Sequence, residues 1–201
     1  MTDKPFAESA ARNAGPILAV LQTELRRCRD VLEIGSGTGQ HAVVFAQAMP
    51  HLVWQTSDLA EHHAGINAWL AHAALDNVLA PVELDVRRIS LAPASFDAVY
   101  SANTAHIMSI AAVQRMFSLV GDVLRADGVF CLYGPFRIGG TFTTASNEAF
   151  DRGLRERSAE MGIRDIETLD EFGTEGGLHR QAFYALPSNN CLAIWTRRGA
   201  T

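Results

Sequence analysis

The chain has 201 residues, 48% apolar and 19% charged, with a formal net charge of −5. That length and composition predict one globular domain with a sizeable core, and the mild acidity argues against binding a nucleic-acid phosphate backbone. Its 3 cysteines, Cys28, Cys131 and Cys191, are too scattered for a disulfide framework or a metal-ligand pattern.

The opening stretch "MTDKPFAESAARN" has no apolar h-region. No run approaches the roughly 18 apolar residues of a membrane helix. A cytoplasmic protein in reducing surroundings is expected. Residues 9–27 carry a helical period, with Ile17, Leu18, Leu21 and Leu25 on one face. Pro16 places the helix start near Gly15, where proline fits a first turn. The basic run Arg26-Arg27-Cys28-Arg29 suits that helix's C-terminus. Residues 31–34 read as a short buried strand and 40–49 as a helix. Strands follow at 52–56, 78–84 and 96–101, with a helix at 61–75 between the first two. Residues 110–125 read as a strong helix closed by "RADG", with Gly128 as the stop signal. A fifth strand is expected at 129–133. This alternation predicts a parallel sheet with helices on both faces. The tail breaks the pattern. It carries a helix at 146–161, a short one in "IRDIETLDEF", and two strands, "HRQAFYALP" and "NNCLAIWTR", flanking "SNN".

The stretch "VLEIGSGTGQHAVVF" sets Gly35, Gly37 and Gly39 between the first strand and the next helix. In an open parallel sheet, ligands collect beyond the carboxyl ends of the strands. Glycines there permit positive φ and close approach, and the helix start offers free N–H groups. A P-loop would need Gly-Lys-Ser/Thr, and the dinucleotide fingerprint would need a third glycine where Gln40 stands. The later strand ends are polar in register. Asp58 in "WQTSD" follows Gly39 at the interval of a ribose-binding carboxylate; helix capping by Ser57 or Asp58 is the plainer alternative. Asp85 ends "ELD" and Asn103 to His106 end the fourth strand. His106 is the candidate general base, against a structural role beside the helix at Ile110. His179 and Arg180 are weaker candidates. His62 and His63 are adjacent and so do not face one way on a helix. No His/Cys spacing suggests a metal site, and no G-x-S-x-G elbow is present.

"EIGSGTG" has the form E-x-G-x-G-x-G and resembles the first motif of class I S-adenosylmethionine-dependent methyltransferases. The whole chain resembles the methyltransferase-like protein 26 family, through "AARNAGPIL", "VLEIGSGTGQHA", "WQTSD", "SANTAHI", "LYGPF", "SNEAFD", "GIRDIE" and "LPSNNCLAIW". The resemblance implies a doubly wound, Rossmann-like α/β fold: seven strands, mostly parallel, with an antiparallel last strand. Residues 1–201 would form a single class I methyltransferase domain, with an N-terminal arm and helix (1–28), a cofactor-binding core (29–135) and C-terminal helices with a strand pair (136–201). It implies S-adenosyl-L-methionine as cofactor, bound by Glu33, Gly35, Ser36, Gly37, Gly39, Asp58, Leu59, Asp85, Val86 and Asn103. Glu33 would support the loop, or reach the cofactor's ammonium through water; Asp85 would face the adenine amino group. Asn103 and His106 would lie near the sulfonium methyl as catalytic residues. Asn13, Tyr133, Phe136 and Arg137 are expected to bind the acceptor, with Arg137 anchoring an acidic group, and the arm around Arg12 and Asn13 would fold over the cofactor. The expected function is methyl transfer to a small-molecule acceptor. A non-catalytic cofactor-binding protein of the same fold, or an NAD(P)-dependent oxidoreductase, are the alternatives. No metal, nucleic-acid or membrane partner is expected, and the chain would act as a monomer or homodimer.

Overall fold

The structure, a computed structural model, describes residues 4–88 and 90–199. The first three residues of the expected arm lie outside them. Helix α1 (Glu8–Glu24) leads into β1 (Asp30–Ile34), α2 (Gln40–Ala48) and β2 (Val53–Asp58). Then come α3 (His63–Ala73), β3 (Val78–Glu83), β4 (Phe96–Ala102), α4 (Ile110–Val123) and β5 (Leu124–Gly134). Short strands β6 (Phe136–Ile138) and β7 (Thr141–Phe142) precede α5 (Ala145–Arg157), β8 (Arg164–Asp165) and α6 (Ile166–Glu175). A closing pair, β9 (Leu178–Leu186) and β10 (Asn190–Arg197), ends the described chain.

The main sheet has seven strands in the order β3-β2-β1-β4-β5-β10-β9. Neighbours β1 to β5 pair in parallel, while β10 runs antiparallel to both β5 and β9. The last strand is therefore the antiparallel one, as the resemblance implied. Chain direction along the sheet reverses between β1 and β4, which opens a crevice at their carboxyl ends. Ser188 and Asn189, with φ +62° and +58°, form the mirror-image turn that fits the right-handed twist of a hairpin.

Side chains alternate across the sheet and divide the core. Leu32, Val99, Phe130 and Trp195 face α4 and α6. Val31, Tyr100, Cys131 and Ile194 face α1 and α2, where Ile17, Leu21 and Phe45 close over them. Burial on both faces explains why these strands read as continuous apolar runs.

Two expectations need correction, and one element was not expected. Helix α1 begins at Glu8, not near Gly15, and carries Pro16 inside. Pro16 lines a cleft beside Arg12, so the backbone bond it forfeits is lost on an open face, not in the core. The "RADG" segment is not a helix end. α4 stops at Val123, the chain turns directly into β5, and Asp127 takes φ +61° before pairing resumes at Val129. Gly128 is required by close packing: a Cβ there would lie 2.8 Å from the Arg125 carbonyl. Finally, a small sheet ordered β7-β6-β8 has no counterpart in the sequence reading.

Candidate functional site

The glycine loop is a hydrogen-bonded cage. Gly35 and Ser36 donate their N–H groups to the Ser57 carbonyl at 3.1 and 2.9 Å. Ser57 Oγ donates to the Glu33 carbonyl at 2.6 Å. Glu33 is buried beneath the loop, and its Oε2 accepts from Ser36 Oγ (2.7 Å) and Trp54 Nε1 (3.1 Å). Burial, outweighing those two donors and aided by Asp58, pushes its pKa up to about 7. Glu33 and Ser36 thus support the loop from below and do not line the crevice. Gly39 is also a packing residue: it caps α2 at φ +88°, and a Cβ there would meet Ile66 Cα of α3 at 3.1 Å.

Gly35 and Gly37 do open on the crevice. There a cavity of about 600 Å³ is bounded by the loop, the ends of β2 and β4, and the segment after β3. Asp58 stands on one wall. It accepts from Gly37 N and from Leu59 N, each at 2.7 Å, so one carboxylate ties the loop to the end of β2. It caps no helix; the turn after Leu59 starts without a side-chain cap. Leu59, Val86, Ile107 and Met108 supply flat apolar surface. Asp85 lies on this wall in a two-pronged pair with Arg87, 2.8 Å at each oxygen. Those hydrogen bonds hold its pKa down to about 2. Arg87, which the sequence reading passed over, therefore occupies part of the edge expected for an adenine amino group.

A second cavity, about 550 Å³, adjoins the first. Its wall draws Asn13 from α1, Asn103 and His106 from the loop after β4, Tyr133 from β5, Pro135 from the link between β5 and β6, Asn147 from α5, and Asn190 from β10. Asn103 belongs to both cavities. It holds a left-handed backbone, φ +59°, which asparagine tolerates better than most residues. Its N–H donates to the Tyr133 carbonyl at 2.9 Å. His106 is buried against Phe150, ring centres 5.3 Å apart. Burial, with Arg164 and Arg157 nearby, pulls its pKa down to about 4. It is a neutral imidazole at pH 7.

Two expected acceptor residues are elsewhere. Phe136 is 2% exposed and packs on Phe183 in the core, because β6 turns its side chain under the sheet. Arg137 lies over Phe142 with Nε 3.8 Å from Asp165. The small sheet takes both residues away from the cavity. His179 and Arg180 flank a shallow surface dip beside Asp170, at the start of β9.

The sequence reading also missed three clamps. The Gln40 side chain accepts from Ala7 N (2.5 Å) and donates to Ala7 O (3.3 Å), fastening the arm to α2. Trp69 Nε1 donates to the Pro5 carbonyl at 2.6 Å. His41 bridges α1 and β4, with Nε2 at Asn13 Oδ1 (2.7 Å) and Nδ1 at Tyr100 OH (3.1 Å). The adjacency "GQH" to the glycine loop was the available signal: polar residues that begin a buried helix need partners.

These features define the class of fold: a doubly wound α/β sheet of seven strands, mostly parallel with an antiparallel last strand, and a cleft at its switch point. An O-methyltransferase family protein from Burkholderia thailandensis superposes with a TM-score of 0.81 at 15% identity, covering 96% of this chain and 59% of that one. Human N-acetylserotonin methyltransferase, in complex with SAM, gives 0.79 at 14% identity, covering 96% and 53%. The YcgJ protein of Bacillus subtilis gives 0.73 at 16% identity, covering 94% and 100%. The chain thus spans little more than half the length of the two methyltransferases. At such identities the likeness is one of fold. The chain belongs to the family described as "Protein of unknown function (DUF938)", which matches residues 4–197.

Proposed function

We propose that this protein is an S-adenosylmethionine-dependent methyltransferase acting on a small molecule, of the methyltransferase-like protein 26 type. The observation that carries the reading is the junction at Asn103 of two cavities, one at the glycine loop and one walled by polar groups. Both have the volume of small-ligand sites. The residues fit the cofactor. Gly35 and Gly37 leave backbone open to a close ligand, Asp58 has acceptor capacity left for ribose hydroxyls, and Leu59, Val86, Ile107 and Met108 suit a planar base. When bound, the cofactor supplies a methyl group already activated by its sulfonium. The chain's own part is alignment and exclusion of water. Asn103 would orient the acceptor by its amide. His106, with a pKa near 4, is too weak a base for an acceptor of high pKa, and would serve as a neutral hydrogen-bonding group. A human relative of this fold solved with SAM supports the cofactor. A single domain over 1–201, a cytoplasmic location and a monomer or homodimer belong to the same proposal. Titration calorimetry tests it: S-adenosylhomocysteine is expected to bind and NADH not to. Binding of NADH alone would replace the reading with an oxidoreductase.

A further inference from the structure

The smaller cavity has a charge character fixed by its own wall. No Asp or Glu lines it among the described residues; the one permanently charged side chain there is Arg12. Arg12 pairs with Glu8 at 3.3 Å, but both are exposed on α1, where such a pair is weak and easily exchanged. Behind His106 lies a second cation. Arg164 is buried and donates to the carbonyls of Ala105 (3.0 Å), Glu160 (2.7 Å) and Met108. No carboxylate lies within 4 Å of it among the described residues. Asp151 offsets its charge only in part, because Arg155 and Arg137 also stand near it.

Hydrogen-bond accounting adds donors. His41 Nε2 contacts the Ala10 carbonyl at 3.2 Å, so that nitrogen carries the proton. Its other contact, on Asn13, must then be an oxygen, which turns the Asn13 amide N–H groups away from His41, one toward the Tyr133 hydroxyl and one left for the cavity. Asn103 lines both cavities and brings a second amide with two N–H donors. Asn147 differs: its Nδ2 donates to Thr143 Oγ1 (2.9 Å) and the Asn189 carbonyl (3.0 Å), so its oxygen is left to accept.

We propose that this cavity takes a small organic acid, whose carboxylate is drawn in by Arg12 and received by amide N–H groups, while a hydroxyl or N–H on the same molecule meets Asn147. The role of this acid as methyl acceptor rests on the methyltransferase reading; its binding does not. Arg137, the anchor expected from sequence, is held on the small sheet and takes no part.

The test is ligand-observed saturation-transfer NMR on the protein with and without saturating S-adenosylhomocysteine. The probes are benzoic, phenylacetic and cinnamic acids, each with its carboxamide and amine counterpart. Carboxylates are expected to bind preferentially. In Arg12→Gln their affinity should fall about fivefold, the scale of one exposed charge, and Arg12→Lys should restore most of it. Calorimetric affinity for S-adenosylhomocysteine should be unchanged in both variants. Amides or amines binding as well as the acids, no binding by any acid, or acid binding unaffected in Arg12→Gln would each overturn the proposal. Failure of S-adenosylhomocysteine alone to bind would defeat the methyltransferase reading and leave the acid site standing.

Discussion

Gly35→Ala tests the packing that sets the width of the cleft. Gly35 has φ +75°, and a Cβ added there would lie 2.7 Å from Thr104 Cγ2. The left-handed backbone costs a non-glycine residue about 1–2 kcal/mol, and overpacking costs about 1–3 kcal/mol more. The variant should therefore lose about 2–5 kcal/mol, or about 4–20 °C in Tm for a chain of this size. Thr104→Ser removes the obstructing methyl and keeps the hydroxyl that contacts Ser101 Oγ at 2.7 Å. Alone it should cost about 1 kcal/mol for the lost buried methyl. Combined with Gly35→Ala, the overpacking disappears, so the double-mutant cycle should show a favourable coupling of about 1–3 kcal/mol. Gly37→Ala is the control. Its φ is +56° and a Cβ there meets nothing within 4 Å, so only the backbone cost of about 1–2 kcal/mol applies. Urea denaturation with constant m-values measures all four variants. Additivity within about 0.5 kcal/mol for the pair would refute the contact between the glycine loop and the end of β4.

The carboxyl of Glu33 titrates near 7 in the folded protein against an ordinary 4.5, so its stabilising effect is full below pH 4.5 and is lost as pH rises through 7. Glu33→Gln should flatten this fall, by up to about 3 kcal/mol; parallel stability curves for the two proteins from pH 4.5 to 8 would contradict it. His106 should stay neutral, so its Cε1 proton resonance should not shift between pH 8 and 5.5, and an NMR midpoint near 6.5 would refute its buried placement. Asp58→Ala removes the acceptor of two loop N–H groups and should weaken S-adenosylhomocysteine binding about 10–100-fold by calorimetry. An unchanged Kd would exclude Asp58 from the ligand wall.

The sheet was readable because both its faces are buried. Apolar runs such as "VLEI" and "FDAVY", punctuated by helical periods, leave few topologies open. Gly35, Gly37, Asp58 and Asp85 were readable because they end successive parallel strands, and such ends share one rim. Phe136 and Arg137 come just after the end of β5, yet the chain turns there into a small sheet that local pattern does not announce: β6 has three residues and β8 two. An apolar residue at a strand end looks the same whether it walls a cavity or packs beneath it. Pro16 misled for a related reason, since its tolerance depends on an open cleft beside the helix. The second cavity assembles Asn13, Asn147 and Asn190 from three distant elements. Nothing local in sequence joins them, and the tautomer of His41 that orients Asn13 follows only from the fold.

A crystal structure of the protein soaked with S-adenosylhomocysteine tests the cleft assignment most directly. The expected result is adenosyl density between Gly37, Asp58 and Val86, with the sulfur turned toward Asn103 and the smaller cavity beyond it. Density at any other surface, or a glycine-loop cleft left empty at saturating ligand, would contradict it.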